Sequence, residues 1–144
     1  MKVSARNVFH GKVVACTSGD INTEVVIALP GGERLVAIVT VASARELGLA
    51  AGSEVFALVK APWVMLLAGT GGVKLSARNL LAGKVKAVES GAVNAEVRIQ
   101  LAGGTVISAI VTREAVAELA LKPGVEATVV IQASDIVVGA PNGK

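Results

Sequence analysis

Short runs of valine, isoleucine and alanine, separated by polar turns and glycine pairs, make up most of the chain. The runs 12–15 and 24–29 flank a polar turn at 17–20, and Gly31-Gly32 precedes a third run at 35–40. β-Branched side chains pack well on a pleated sheet, and glycine accepts the positive φ of tight hairpin turns. The pattern therefore predicts strands connected by hairpins.

One short helix is predicted after the third strand. It falls at residues 43–47, and the corresponding stretch of the second half, 112–119, begins with Thr112, whose hydroxyl can cap a helix. A last strand at 54–60, and at 126–132 in the second half, leads into a further extended segment.

The second half of the chain repeats the first at a constant offset of 72 residues. Ser4-Ala5-Arg6-Asn7 falls on Ser76-Ala77-Arg78-Asn79, and the register continues without a gap. The chain divides into a repeat at 1–67, a linker at 68–72 and a repeat at 73–139. Five or so strands and one short helix per repeat predict an all-β fold of two tandem small barrels, similar to oligonucleotide-binding (OB) folds.

The composition favours a small anion over a nucleic acid as the partner. Apolar residues make up 53% of the chain and aromatic residues 2%, so the core is expected to be aliphatic. Single-strand binders stack bases on aromatic side chains, and here Trp63 is expected in the core or at an interface. The net charge of +3 comes from scattered lysines and arginines. An oligonucleotide-binding barrel remains the alternative.

The N-terminal residues are polar where a signal peptide has its apolar core, and no apolar run approaches the roughly 18 residues of a membrane span. A single cysteine, Cys16, fits a reducing compartment. We therefore expect a cytoplasmic protein that does not contact a membrane. Barrels this small have little core, so we also expect subunits to associate.

Catalytic groups are scarce. His10 and Cys16 are the only histidine and cysteine, and neither is repeated. A zinc site needs three or four such ligands, and a nucleophile pair needs an orienting third group. The sequence predicts a protein that is not an enzyme and holds no cofactor or bare metal ion.

The polar positions that do repeat are those that bind an oxyanion, which has only hydrogen-bond acceptors and needs converging donors. Ser4 and Arg6 supply a hydroxyl and a guanidinium around the small Ala5, and Thr40 and Lys60 end two strands. The second repeat matches them with Ser76, Ala77, Arg78 and Thr112. Alternatively, Ser-Ala-Arg-Asn is a turn at the strand start, with Asn7 bonding local backbone.

Four motifs together resemble the molbindin family over nearly the whole chain. They are Ser-Ala-Arg-Asn in each repeat, Gly-Ala-Val-Asn-Ala-Glu-Val at 91–97, Ile-Val-Thr in mid-repeat and Val-Lys-Ala-Pro-Trp at 59–63. The resemblance implies an OB-like barrel per repeat and a homotrimer that holds molybdate or tungstate at its subunit interfaces. It also implies a role in storage or homeostasis, and a ligand-sensing module acting on a partner chain is the regulatory alternative.

The resemblance also implies two classes of site. The first would use Ser4, Ala5, Arg6, Thr40, Lys60, Ala61, Ser76, Ala77, Arg78, Thr112 and Ala133. The second, near the threefold axis, would use mostly backbone N–H groups of the loops Gly19-Asp20-Ile21-Asn22 and Gly91-Ala92-Val93-Asn94.

Two positions depart from the family pattern. Gln132 stands opposite Lys60, where the family usually has lysine, and Asp20 stands opposite Ala92 and would repel a dianion. We therefore expect unequal sites. Gln132 would share a site with Arg78 if each repeat builds its own site, or with Arg6 if the barrels exchange strand ends.

Overall fold

The computed structural model describes residues 2–69 and 72–141. Its strands, helices and 3-10 turns follow the same order in both halves. The first half contains β1 (Asn7–Ser18), β2 (Asn22–Ala28), β3 (Arg34–Thr40), α1 (Val41–Leu47), β4 (Glu54–Val59), the turn η1 (Ala61–Trp63) and β5 (Met65–Ala68). The second contains β6 (Asn79–Ser90), β7 (Asn94–Leu101), β8 (Val106–Thr112), α2 (Arg113–Glu118), β9 (Glu126–Ile131), the turn η2 (Ala133–Asp135) and β10 (Val137–Gly139).

The strands form two antiparallel five-stranded sheets, with the orders β10-β4-β1-β2-β3 and β5-β9-β6-β7-β8. Each sheet curls into an OB-like half-barrel, which confirms the predicted all-β fold. Each sheet also takes its fifth strand from the other repeat, because β5 pairs with β9 and β10 pairs with β4. The two repeats are therefore interlocked.

The first strand of each repeat is long and bent. β1 begins at Asn7, five residues before the run that the pattern predicted, and its pairing with β2 shifts between Val13 and Ala15. Such a bulge bends and twists a strand, which lets it pair with β2 and β4 on its two sides. A glycine precedes the bulge because a Cβ on Gly11 would lie 2.7 Å from the carbonyl oxygen of Ala28.

The helices begin directly after the residues that end the third strands. Thr112 caps α2 by accepting from the backbone N–H of Ala115 at 3.0 Å, as predicted, and Thr40 caps α1 through Ser43 in the same way. Gly48 then ends α1 in the left-handed conformation, with φ of 64°. Each third strand therefore stops at a threonine hydroxyl with a fixed position.

The core is a single aliphatic cluster that draws on both repeats, as the composition predicted. Its largest fully buried side chains are Ile27, Leu35, Ile99, Ile107 and Ile131. The two interlocked repeats therefore share one core. Within residues 2–69 and 72–141, no helix is long and apolar enough to cross a membrane.

Candidate anion-binding site

Asn7 joins the start of the first repeat to the second repeat. Its side chain is buried, and its Nδ2 donates to the carbonyl oxygens of Val59 at 3.2 Å and Ser108 at 2.8 Å. The backbone N–H of Ser108 donates back to Asn7 Oδ1 at 2.8 Å. The interpretation in which Asn7 bonds local backbone is therefore wrong, because its partners lie 52 and 101 residues away.

Asn79, in the second repeat, makes the matching contacts to the first repeat. Its Nδ2 donates to the carbonyl oxygens of Val36 at 2.8 Å and Ile131 at 3.2 Å, and Val36 N–H donates to its Oδ1 at 2.7 Å. Each asparagine thus satisfies the backbone of a strand in the other repeat. Because Asn7 and Asn79 follow the Ser-Ala-Arg segments directly, they fix those segments against β8 and β3.

The two arginines extend the same contact between repeats. Arg6 Nη1 donates to Glu96 Oε1 at 2.9 Å, and Arg78 Nη1 donates to Glu24 Oε2. The arginine side chains remain 57% and 51% exposed, so an anion in solvent can reach both guanidinium groups. The glutamates are more buried, at 14% for Glu96 and 31% for Glu24.

Strand register decides which residue lies beside each arginine. Asn7 pairs with Val59, so Arg6 lies next to Lys60, whereas Asn79 pairs with Ile131, so Arg78 lies next to Gln132. Ser76, Ala77 and Gln132 also line one groove along β5. The exchange of strands starts beyond positions 60 and 132, and each arginine therefore keeps the partner of its own repeat.

The threonines, in contrast, come from the opposite repeat. Turn η1 packs against β8, which ends at Thr112, and turn η2 packs against β3, which ends at Thr40. Thr40 and Ser134 of η2 line one groove. The chain from Asn79 back to Arg78 also runs toward Thr40. Asn79 contacts Val36 of β3, and Arg78 contacts Glu24. Glu24 pairs with Ile38, which is nearer than Val36 to Thr40.

The structure thus sorts the strand-end residues into two clusters. The first anion cluster comprises Ser4, Ala5, Arg6, Lys60, Ala61 and Thr112. The second anion cluster comprises Ser76, Ala77, Arg78, Gln132, Ala133 and Thr40. Ala61 and Ala133 are buried, whereas Ser4, Ser76, Lys60 and Gln132 are exposed.

Beyond Gln132, the clusters differ in neighbours that the sequence reasoning missed. Lys60 Nζ lies 5.6 Å from the centre of the Trp63 ring, a cation–π distance, whereas Asp135 occupies the position matched to Trp63. Thr40 donates its hydroxyl to Ser43 Oγ at 2.9 Å. The residue matched to Ser43 near Thr112 is Ala115, which has no hydroxyl. Comparing the aligned repeats position by position would have shown both differences.

The two loops of the second class of site also differ. Each closes on itself, with Gly19 N–H donating to Asn22 O at 2.8 Å and Gly91 N–H to Asn94 O at 2.7 Å. Arg113 Nη1 lies 3.4 Å from the carbonyl oxygen of Ala92, and its matched residue in the first repeat is Val41. Loop 91–94 therefore has an arginine, whereas loop 19–22 has Asp20. The sequence reasoning missed Arg113.

His10 and Cys16 do not form a nucleophile pair. Both lie on β1, six positions apart, which corresponds to roughly 20 Å along a strand. The His10 ring instead packs edge-on against Phe56, with 4.5 Å between ring centres. Burial raises the pKa of the Cys16 thiol above its ordinary value. Among the described residues, no group of three or more His, Cys, Asp or Glu side chains could hold a metal ion.

Comparison with known proteins adds the family. The TOBE domain matches twice, at residues 3–66 and 75–138. The chain belongs to the molbindin family. The structure of the cytoplasmic molybdate-binding protein ModG, with molybdate bound, superposes with a TM-score of 0.94 at 59% identity, covering 98% of this chain and 100% of ModG.

Two curated relatives extend the molbindin likeness over the chain. The molybdenum-pterin-binding protein MopA of Rhodobacter capsulatus is 43% identical over 98% of this chain. The molybdenum transport protein ModE of Herbaspirillum seropedicae is 39% identical over 96% of it. The chain spans about half the length of these relatives, 53% of MopA and 51% of ModE. MopA and ModG are both binding proteins.

Proposed function

We propose that this chain binds molybdate, and tungstate, through its two anion clusters. The observation that carries the proposal is the joining of the Ser-Ala-Arg segment of each repeat to the strand of the other repeat that ends in a threonine hydroxyl. The likeness to ModG over the whole chain supports molybdate as the anion. We propose no catalytic step and no cofactor.

The clusters suit a tetrahedral dianion that carries no proton. Such an ion only accepts hydrogen bonds, and each cluster offers a serine hydroxyl, a guanidinium and the backbone beside a small alanine. Each also has a threonine hydroxyl, which in the second cluster must first release Ser43 Oγ. The first cluster adds the Lys60 ammonium and the second adds the Gln132 amide. We propose that the first cluster binds the dianion more tightly.

The loops form the proposed second class of site, built from Gly19, Ile21 and Asn22 and from Gly91, Ala92, Val93 and Asn94. Arg113 beside Ala92 supports loop 91–94 as the stronger of the two. The carboxylate of Asp20 opposes a dianion at loop 19–22.

We also propose that the molecule is a homotrimer in which neighbouring subunits complete the sites. Large apolar side chains lie exposed at the tips of both loops, with Ile21 74% and Val93 72% accessible, and Trp63 beside Lys60 is half exposed. Contact between subunits would cover such side chains. The sequence repeats 1–67 and 73–139 remain our proposed units, joined by 68–72, of which Thr70 and Gly71 lie outside the described residues.

Storage in the cytoplasm is the role that we propose for the assembly. Titration calorimetry with molybdate, tungstate and sulfate tests the binding. Arg6→Ala removes a charge-assisted contact worth about 1.5–3 kcal/mol, so we expect its site to weaken by roughly 10- to 150-fold. Arg34→Ala, an exposed arginine of β3 outside both clusters, is the matched control. Unchanged affinity and stoichiometry in Arg6→Ala would show that Arg6 is structural.

Light scattering with and without molybdate tests the assembly. We expect the mass of a trimer and a higher melting temperature with ligand, since a ligand that binds only the folded form stabilises it. A monomer mass under both conditions contradicts sites at subunit interfaces. A labelled oligonucleotide at low salt, which we expect not to bind, separates this function from that of a nucleic-acid barrel.

A further inference from the structure

Each arginine of the anion clusters is already paired with a carboxylate of the opposite repeat. Arg6 contacts Glu96 on β7, and Arg78 contacts Glu24 on β2. The two glutamates match each other at the offset of 72 residues, and each directly precedes a fully buried valine, Val25 or Val97. Buried neighbours therefore fix the backbone of both glutamates, while the arginines can still reach solvent.

We propose that Glu24 and Glu96 are affinity-determining residues, which act as internal anions that an arriving oxyanion must displace from Arg78 and Arg6. The inference rests on the proposed function, since it concerns the same two clusters. A carboxylate that neutralises the guanidinium lowers the gain from binding an external anion.

The two pairs differ in what remains after the arginine is released. Glu96 has a second arginine nearby, because Arg98 Nε lies 3.6 Å from its Oε2. The residue matched to Arg98 is Val26, and within residues 2–69 and 72–141 Arg78 is the only cation paired with Glu24. When Arg6 is released, Arg98 still partly neutralises the Glu96 carboxylate. When Arg78 is released, the Glu24 carboxylate loses its paired cation.

This difference acts in the same direction as that between Lys60 and Gln132. The first cluster has the additional cation and the arginine that is easier to release. The second cluster has neither. Glu24 therefore lowers the affinity of the second cluster more than Glu96 lowers the affinity of the first cluster.

Calorimetry with molybdate on Glu24→Gln and Glu96→Gln tests the inference. Because exposed ion pairs are weak, we expect each variant to bind roughly two- to fivefold more tightly at its own site, with the larger gain for Glu24→Gln. Glu54→Gln is the matched control, since Glu54 is an exposed glutamate at the opposite end of β4 from Lys60. It should leave both affinities unchanged. Urea denaturation checks that the variants are folded.

A double-mutant cycle separates displacement from long-range charge. In an Arg6→Ala background, Glu96→Gln should no longer strengthen binding, because there is no arginine to release. An equal gain with and without Arg6 overturns the inference, and so does weaker binding in Glu96→Gln, which would mean that the carboxylate orients Arg6 for the ligand. If the unaltered protein does not bind molybdate, the proposed function fails as well.

Discussion

The strand start of the first repeat and that of the second are held by the same hydrogen bonds but carry different charges. Asn7 and Asn79 each make three hydrogen bonds to backbone, at 2.8–3.2 Å and 2.7–3.2 Å. Next to these matched contacts, Lys60 is replaced by Gln132 and Trp63 by Asp135. The residues that hold the two repeats together are alike, whereas these two neighbouring positions have diverged.

This difference shows which constraints act at each position. A buried asparagine that bonds to backbone has no substitute, because any other side chain leaves carbonyl and N–H groups without partners. A residue at the edge of the anion cluster is accessible, so a change from Lys60 to Gln132 alters affinity without disturbing the fold. Duplication followed by divergence can therefore produce two sites of unequal strength on one scaffold.

The largest expected effect is on stability and concerns the shared part of the comparison. Asn7→Ala and Asn79→Ala each leave buried backbone groups unpaired, and we expect either to lower the free energy of unfolding by about 2–4 kcal/mol. Urea denaturation of the two variants measures the loss. Gln100→Ala, an exposed position on β7, is the control and should change stability by less than about 0.5 kcal/mol.

The two asparagine variants should be destabilised alike. A loss of stability confined to one of them would mean that the repeats are not held together symmetrically. One of the exchanged strands, β5 or β10, would then contribute more to stability than the other.

A second, smaller effect is on binding and concerns the divergent part. Gln132→Lys adds a cation beside Arg78, and we expect it to strengthen the second cluster by roughly fivefold, since a hydrogen bond to a charged group exceeds a neutral one by about 1 kcal/mol. Lys60→Gln is the reciprocal variant and should weaken the first cluster by a similar factor. Calorimetry with molybdate measures both.

The pairing of residues gives this prediction a sharper form. Combining Gln132→Lys with Arg78→Ala should cancel the gain, whereas combining it with Arg6→Ala should not, because only residues of one site are coupled. If Arg6→Ala cancels the gain instead, position 132 serves the first cluster in the trimer. If Gln132→Lys gives no gain in the first place, position 132 points away from the ligand.

The sequence predicted most of the fold because both of its signals can be found by comparing residues along the chain. Alternation of apolar residues defined the strands, and the offset of 72 residues defined the repeat. The exchange of β5 and β10 depends on the path of the chain after Trp63 and after Asp135, where short extended segments can pair equally well with either sheet. No local pattern distinguishes these pairings, so the sequence left the exchange open.

The candidate site was predictable in its residue types but not in its grouping. Ser4, Arg6 and Lys60 share a repeat and lie together, but Thr40 lies with the second cluster and Thr112 with the first. Glu24, Glu96 and Arg113 were missed because each acts on a residue distant in the sequence. Their signal was present, since the glutamates match between repeats and Arg113 faces Val41 in the alignment.

The smallest expected effect concerns the loops, where the repeats differ by an arginine and a carboxylate. Asp20→Ala removes the negative charge at loop 19–22, and Arg113→Val gives loop 91–94 the residue of the first repeat. Because both charges are exposed and screened by salt, we expect changes of only about two- to fivefold, a gain for Asp20→Ala and a loss for Arg113→Val. Calorimetry at low and high salt measures them, and the effects should shrink as salt rises. With both substitutions together, the two loops carry the same charges and should bind alike. Loops that remain unequal in the double variant would mean that the backbone, rather than these two side chains, distinguishes them.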